Sequence, residues 1–150
     1  MRFALAVAAL VASVSLGTAR VFAVEEIVPA EQVAAAPSAE GTEWTITLTP
    51  DAAAQAKGTQ AGPDILSFKD GQLTSSECVK KGFSAAPYTS TAAANGWAFQ
   101  SQQASAQEGT TAWTGEASGD TIQGTMIWTS PSGEVSNFTF EGSKNAPSAS

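Results

Sequence analysis

The residue types able to do chemistry in this chain are few, and they crowd into one stretch. Asp64, Asp70 and Glu77 fall within "PDILSFKDGQLTSSECVKK", which also holds Cys78 and Lys80. Two carboxylates at the right separation can hydrolyse a glycosidic bond without histidine. These three acids are therefore the candidates for a carboxylate-dependent enzyme acting on an extracellular polymer. Each also has a plainer reading: Asp70 belongs to an Asp-Gly turn and Asp64 follows Pro63 at a strand start, as solvated loop carboxylates do. Read as part of a strand, Cys78 and Lys80 point the same way, and a neighbouring ammonium lowers a thiol's pKa. Cys78 is the candidate reactive or dimer-forming thiol, against the alternative of a small buried hydrophobe.

The missing residue types exclude more than the present ones suggest. With no histidine in 150 residues, Ser-His-Asp and Cys-His catalysis and histidine zinc sites fall away. No phosphate-cradling glycine motif or Asp-rich calcium loop is present, so no catalytic residue, metal or cofactor is assigned. A single cysteine rules out an intramolecular disulfide and leaves the core to hold the fold.

The elements that must position these side chains follow from the rest of the chain. The start, "MRFALAVAALVASVSLGTARVFAVEE", has a basic residue, an apolar run from Phe3 to Leu16, then small residues. This reads as a secretory signal peptide over residues 1–23, cut after Ala23 or Ala19, for export to the periplasm or beyond. Its apolar run is shorter than the roughly 20 residues a spanning helix needs, so no membrane insertion is expected after cleavage. Removal of Arg2 and Arg20 would leave five lysines against 14 acidic residues, a net charge of −9. Such a surface disfavours nucleic acid and anionic lipid as partners. Residues 24–41, "VEEIVPAEQVAAAPSAEG", form an acidic Ala/Pro/Glu leader with no aromatics, read as flexible. Residues 42–143 are the folded domain, and 144–150 a polar disordered tail.

Within that domain the dominant period is two, the mark of half-buried strands. Trp44, Ile46 and Leu48 share one face, and Asp70-Gly71 makes a hairpin that sets Phe68 opposite Leu73 and Leu66 opposite Ser75. Asn95-Gly96 reads as another turn, sending Trp97 and Phe99 to one side. A turn at Gly119-Asp120 pairs Ala117 with Ile122, Gly115 with Gly124 and Trp113 with Met126. A further turn at Ser132-Gly133-Glu134 sets Trp128 opposite Phe138 and Met126 opposite Phe140. Pro50–Pro63 breaks the rhythm as a loop, with or without a short helix, and a short strand falls near Pro87–Thr91. The sum is an all-β domain: one antiparallel up-and-down sheet of seven to eight strands closed as a small barrel, the alternative being a β-sandwich.

All four tryptophans fall on inward positions. They either fill the core or line a cavity, and Trp97, Trp113, Gly115, Gly124 and Trp128 are the candidate cavity lining. The facing glycines either leave room for a ligand or let a ring pack closely.

"DILSFKDGQLTSSECVKKGFSAAPYT" and "EGTTAWTGEASGDTIQGTMIWTSPSGEVSNFTFEG" together resemble a group of small exported bacterial proteins of unassigned role, with the look of a lipocalin- or avidin-type barrel. That resemblance implies a fold and no activity. Three functions compete: a non-catalytic exported module that binds a small apolar ligand or a partner protein, the carboxylate-dependent enzyme, and a purely structural envelope protein.

Overall fold

The computed structural model describes residues 38–146. The signal-peptide reading of 1–23, most of the leader and the last four residues of the tail lie outside the described residues. Eight strands follow in chain order: β1 (Thr42–Pro50), β2 (Gly62–Lys69), β3 (Gln72–Ser75), β4 (Ala86–Ala93), β5 (Gly96–Ser105), β6 (Gly109–Ser118), β7 (Thr121–Thr129) and β8 (Val135–Lys144). Two one-turn helices, α1 (Ala52–Ala56) and α2 (Ser76–Lys80), sit in the β1–β2 and β3–β4 connections. Each strand pairs antiparallel with the next, and β8 returns to pair with β1, closing the barrel. Closure leaves inner and outer faces, and the alternation of the sequence sorts onto them. Trp44, Ile46, Leu66, Phe68, Trp97, Phe99, Trp113, Ile122 and Met126 are buried, while Thr45, Thr47, Thr114, Gln123 and Thr125 face outward and exposed. A membrane-spanning barrel has the opposite polarity, with its apolar band outside.

The tight turns lie at one end and the longer connections at the other. At the tight-turn end, Asp70 and Gly71 both take positive φ, 54° and 71°, as a two-residue hairpin turn of this kind demands. This end is shut by the last residues assigned to the leader. Ala39 is fully buried, and its carbonyl accepts from the Thr42 hydroxyl and amide. Glu40 reaches across to accept from the amides of Asp70 (2.6 Å) and Gly71 (3.1 Å) and from the Tyr88 hydroxyl (2.8 Å). The Gly71 amide is the main cause that lowers the Glu40 carboxyl below its ordinary value, with the Tyr88 hydroxyl next. Burial, then the bond to Glu40, pushes Tyr88 up to about 12. At the other terminus β8 takes in Lys144, and the Asn145 amide donates to the Glu43 carbonyl.

Two turns differ from expectation. The Gly119-Asp120 hairpin forms as read, with Trp113 opposite Met126 and Gly115 opposite Gly124. The next hairpin is shifted by two residues: Met126 pairs with Phe138, Gly124 with Phe140 and Trp128 with Ser136. Its loop is Ser130–Glu134, closed by Ser130 N–H to the Glu134 carbonyl at 2.8 Å. Pro131 has no N–H to offer a ladder, so the pairing stops at Thr129 and Val135. A slip of two keeps every side chain on its face. The β4–β5 turn is Ala94-Asn95, with Ala93 opposite Gly96, rather than Asn95-Gly96. Gly96 serves packing instead, because a β-carbon there would strike the carbonyl of Ala117.

The barrel's centre and its tight-turn end are filled by rings that meet edge to face or tilted. Phe68 contacts Trp97 at 5.0 Å and Phe99 at 4.9 Å, Trp97 meets Trp44 at 6.0 Å, and Trp113 lies 5.6 Å from Phe140. Such contacts add about 0.5–1.5 kcal/mol each beyond the area they bury.

Candidate functional site

The long-connection end is not filled in this way. There the barrel opens into a cavity of about 480 Å³, walled by Leu48, Phe83, Met126, Trp128 and Phe138, with Cys78 and Thr111 among its lining. Its rim is the segment Thr59–Pro63 after α1 on one side, and Glu77 and Lys81 at either end of α2 on the other. A space of this size, apolar inside with a few polar groups at its edge, is what small-molecule sites offer. An eight-stranded barrel is just wide enough to be packed solid or to hold one small ligand. This one is packed in one part and open in another.

The α2 rim is built on a buried carboxylate. Asp64 is 2% exposed and accepts from the Ser75 hydroxyl (2.6 Å), the Ser76 hydroxyl (2.8 Å) and the Glu77 amide (3.0 Å). Ser75, so oriented, caps the helix by accepting from the Cys78 amide at 3.1 Å. A buried carboxylate is tolerable only when donors surround it, and here those donors are the first turn of α2. Asp64 is thus a positioning residue for the rim, not the solvated loop acid expected.

The wall beneath is set by Gln103, which is fully buried. Its side-chain amide donates to the Ser84 carbonyl at 3.2 Å and accepts from Trp113 Nε1 at 3.0 Å. Trp113 Nε1 also reaches the Thr111 hydroxyl at 3.2 Å. Among the described residues every buried side-chain polar atom has a partner. Trp128 stands at the rim, half-buried, its Nε1 donating to the Glu108 carbonyl at 2.6 Å while the Lys81 ammonium lies 5.7 Å from its ring. On the far side an exposed ion pair joins Lys57 after α1 to Glu134 in the β7–β8 loop, and the Asn137 amide group donates to Asp51 at 3.0 Å.

Of the five candidate lining residues, the structure brings only Trp128 to the cavity. Trp97 and Trp113 are packed among other rings. Gly115 and Gly124 lie beneath Phe140; on the outer surface they underlie an open, threonine-lined groove bordered by Thr47, Thr125 and Glu141. That groove has few apolar side chains to grip a ligand, and the mouth has five.

Cys78 is in α2, not on a strand. Helical geometry sends Lys80 outward to Glu77 at 2.6 Å and turns the thiol inward, where it is 5% exposed. Burial raises its pKa, outweighing the hydroxyls of Ser75 and Thr111 beside it. The expected activation by Lys80 is therefore corrected. The three acids are not brought together either: Asp70 sits in a turn at the closed end, Asp64 is fully engaged, and Glu77 is paired with Lys80.

Leu48, Phe83, Met126 and Phe138 escaped the sequence reading as site residues, although Leu48, Met126 and Phe138 carry the inward parity. No protein-family model matches this chain, and neither a curated protein nor a solved structure does.

Proposed function

We propose that this protein is a non-catalytic β-barrel module that holds a small apolar ligand in the cavity at its open end. The observation that carries this reading is the chemistry of the cavity wall: Leu48, Phe83, Met126, Trp128 and Phe138 converge on about 480 Å³, whereas the barrel's centre is packed with rings. Binding would remove those apolar surfaces from water at about 25 cal/mol per Å². The polar rim would fix the orientation of the guest. The signal-peptide reading of residues 1–23 supports an exported protein, acting in the periplasm or outside the cell.

The test is titration with a neutral apolar fluorophore such as N-phenyl-1-naphthylamine. Saturable one-site binding is expected, with quenching or a shift of Trp128 emission. Trp128→Ala should weaken it about tenfold, the equivalent of losing one aromatic contact wall, with circular dichroism unchanged. Absence of saturable binding by the wild-type protein, or identical affinity in the variant, would remove the reading.

A further inference from the structure

We infer that the guest is an alkyl chain ending in an anionic head, with the head held at the rim by Lys81. This rests on the reading of the mouth as a ligand site and adds the class of ligand. Two charged side chains line the cavity, Glu77 and Lys81. Glu77 is engaged by Lys80 at 2.6 Å, so its charge is already answered. Lys81 forms no ion pair among the described residues. Its ammonium lies over the Trp128 ring at 5.7 Å, at the boundary between apolar wall and water. The arrangement is amphipathic in one direction: rings and Met126 inside, one unanswered cation at the edge. An anion there gains a charge-assisted contact while its chain occupies the apolar volume. An amine head would instead meet Lys81 with like charge and find Glu77 taken.

Calorimetric titration with decanoate, decanol and decylamine, three heads on one chain, tests this on the full protein. Wild type should bind decanoate about tenfold more tightly than decanol, the margin of one charge-assisted hydrogen bond, and decylamine least. That margin should shrink with added salt, since the rim is open to water. Lys81→Gln should bind decanoate and decanol alike, and Lys81→Arg should keep the preference. Lys81 is exposed, and its capping of α2 uses only its backbone N–H, so both variants should fold. Equal binding of decanoate and decanol by wild type, a preference that survives Lys81→Gln, or tightest binding of decylamine would overturn the anionic head while leaving the apolar site standing. Failure of all three to bind would overturn both. Phosphatidylglycerol vesicles offer the same chemistry as a bilayer and should leave Trp128 emission unchanged; a response to vesicles without one to free decanoate would also overturn the proposal.

Discussion

A β-carbon placed on Gly115 would sit 2.8 Å from Cζ of Phe140, 2.8 Å from Cε1 of Phe99 and 2.7 Å from the carbonyl oxygen of Gln123. All three are held, two in the ring cluster and one in the backbone. Gly115→Val should therefore destabilise the protein by about 1–3 kcal/mol or more through overpacking, read as a lowered urea midpoint. A small or favourable effect would mean that the rings can withdraw. Cys78 gives the second single-residue test. A thiol that is buried and held above its ordinary pKa of 9.0 offers little thiolate at neutral pH. Ellman's reagent should leave it unmodified in the native protein and modify it fully in denaturant. The sequence carried more about single residues than its local chemistry suggested. Asp64 shares the even parity of Leu66 and Phe68, and Gln103 the odd parity of Trp97 and Phe99, so the alternation itself points both inward. The Pro63-Asp64 loop cue masked the first of these. Cys78 was misplaced for a different reason: a one-turn helix is too short to show a period, and Ser75 caps it only because Asp64, from another strand, orients it.

Hairpins were legible where two residues force the turn, as at Asp70-Gly71 and Gly119-Asp120. They were less so where a proline lengthens the loop, at Ser130–Glu134, or where a glycine serves packing, at Gly96. The open end was least legible, because Phe83 and the Thr59–Pro63 rim reach the cavity from connections with no period of their own. At the closed end the element that matters is the short Glu40 latch on the β2–β3 turn and Tyr88. Its carboxyl is lowered below the ordinary 4.5, so its contribution to stability is complete above that pH and is lost as the pH falls through the lowered folded value. Tyr88 behaves in the opposite sense, contributing below pH 10.0 and losing its share as the pH rises towards about 12. Glu40→Gln should lower the melting temperature at neutral pH, and the gap from wild type should close as acidification carries the carboxyl from its ordinary 4.5 through its lowered folded value. A gap that stays constant with pH would show that the carboxylate's charge is not what holds the latch.

The barrel combines a ring-packed centre with a cavity at its long-connection end, within a single continuous sheet. The even alternation of the sequence sorts side chains onto two faces, and it cannot say how far the filling extends along the axis. The two-residue shift sets Phe140 against Gly124 and places its ring over both glycines, in the filled part of the barrel. The seam between β1 and β8 is the contact on which the closed shape depends, with Trp44 opposite Lys144 and Pro50 opposite Phe138. A chain ending at Glu134 should leave one edge of β1 and one edge of β7 unpaired. It should aggregate through those open edges, which size-exclusion chromatography would register; a soluble monomer would show that the seam is dispensable.

That seam also sets an order of events at the ribosome. Among the described residues the first strand pairs with the last, Trp44 against Lys144, so the nascent chain has no complete ring until both have been made. Contacts so distant in sequence form slowly.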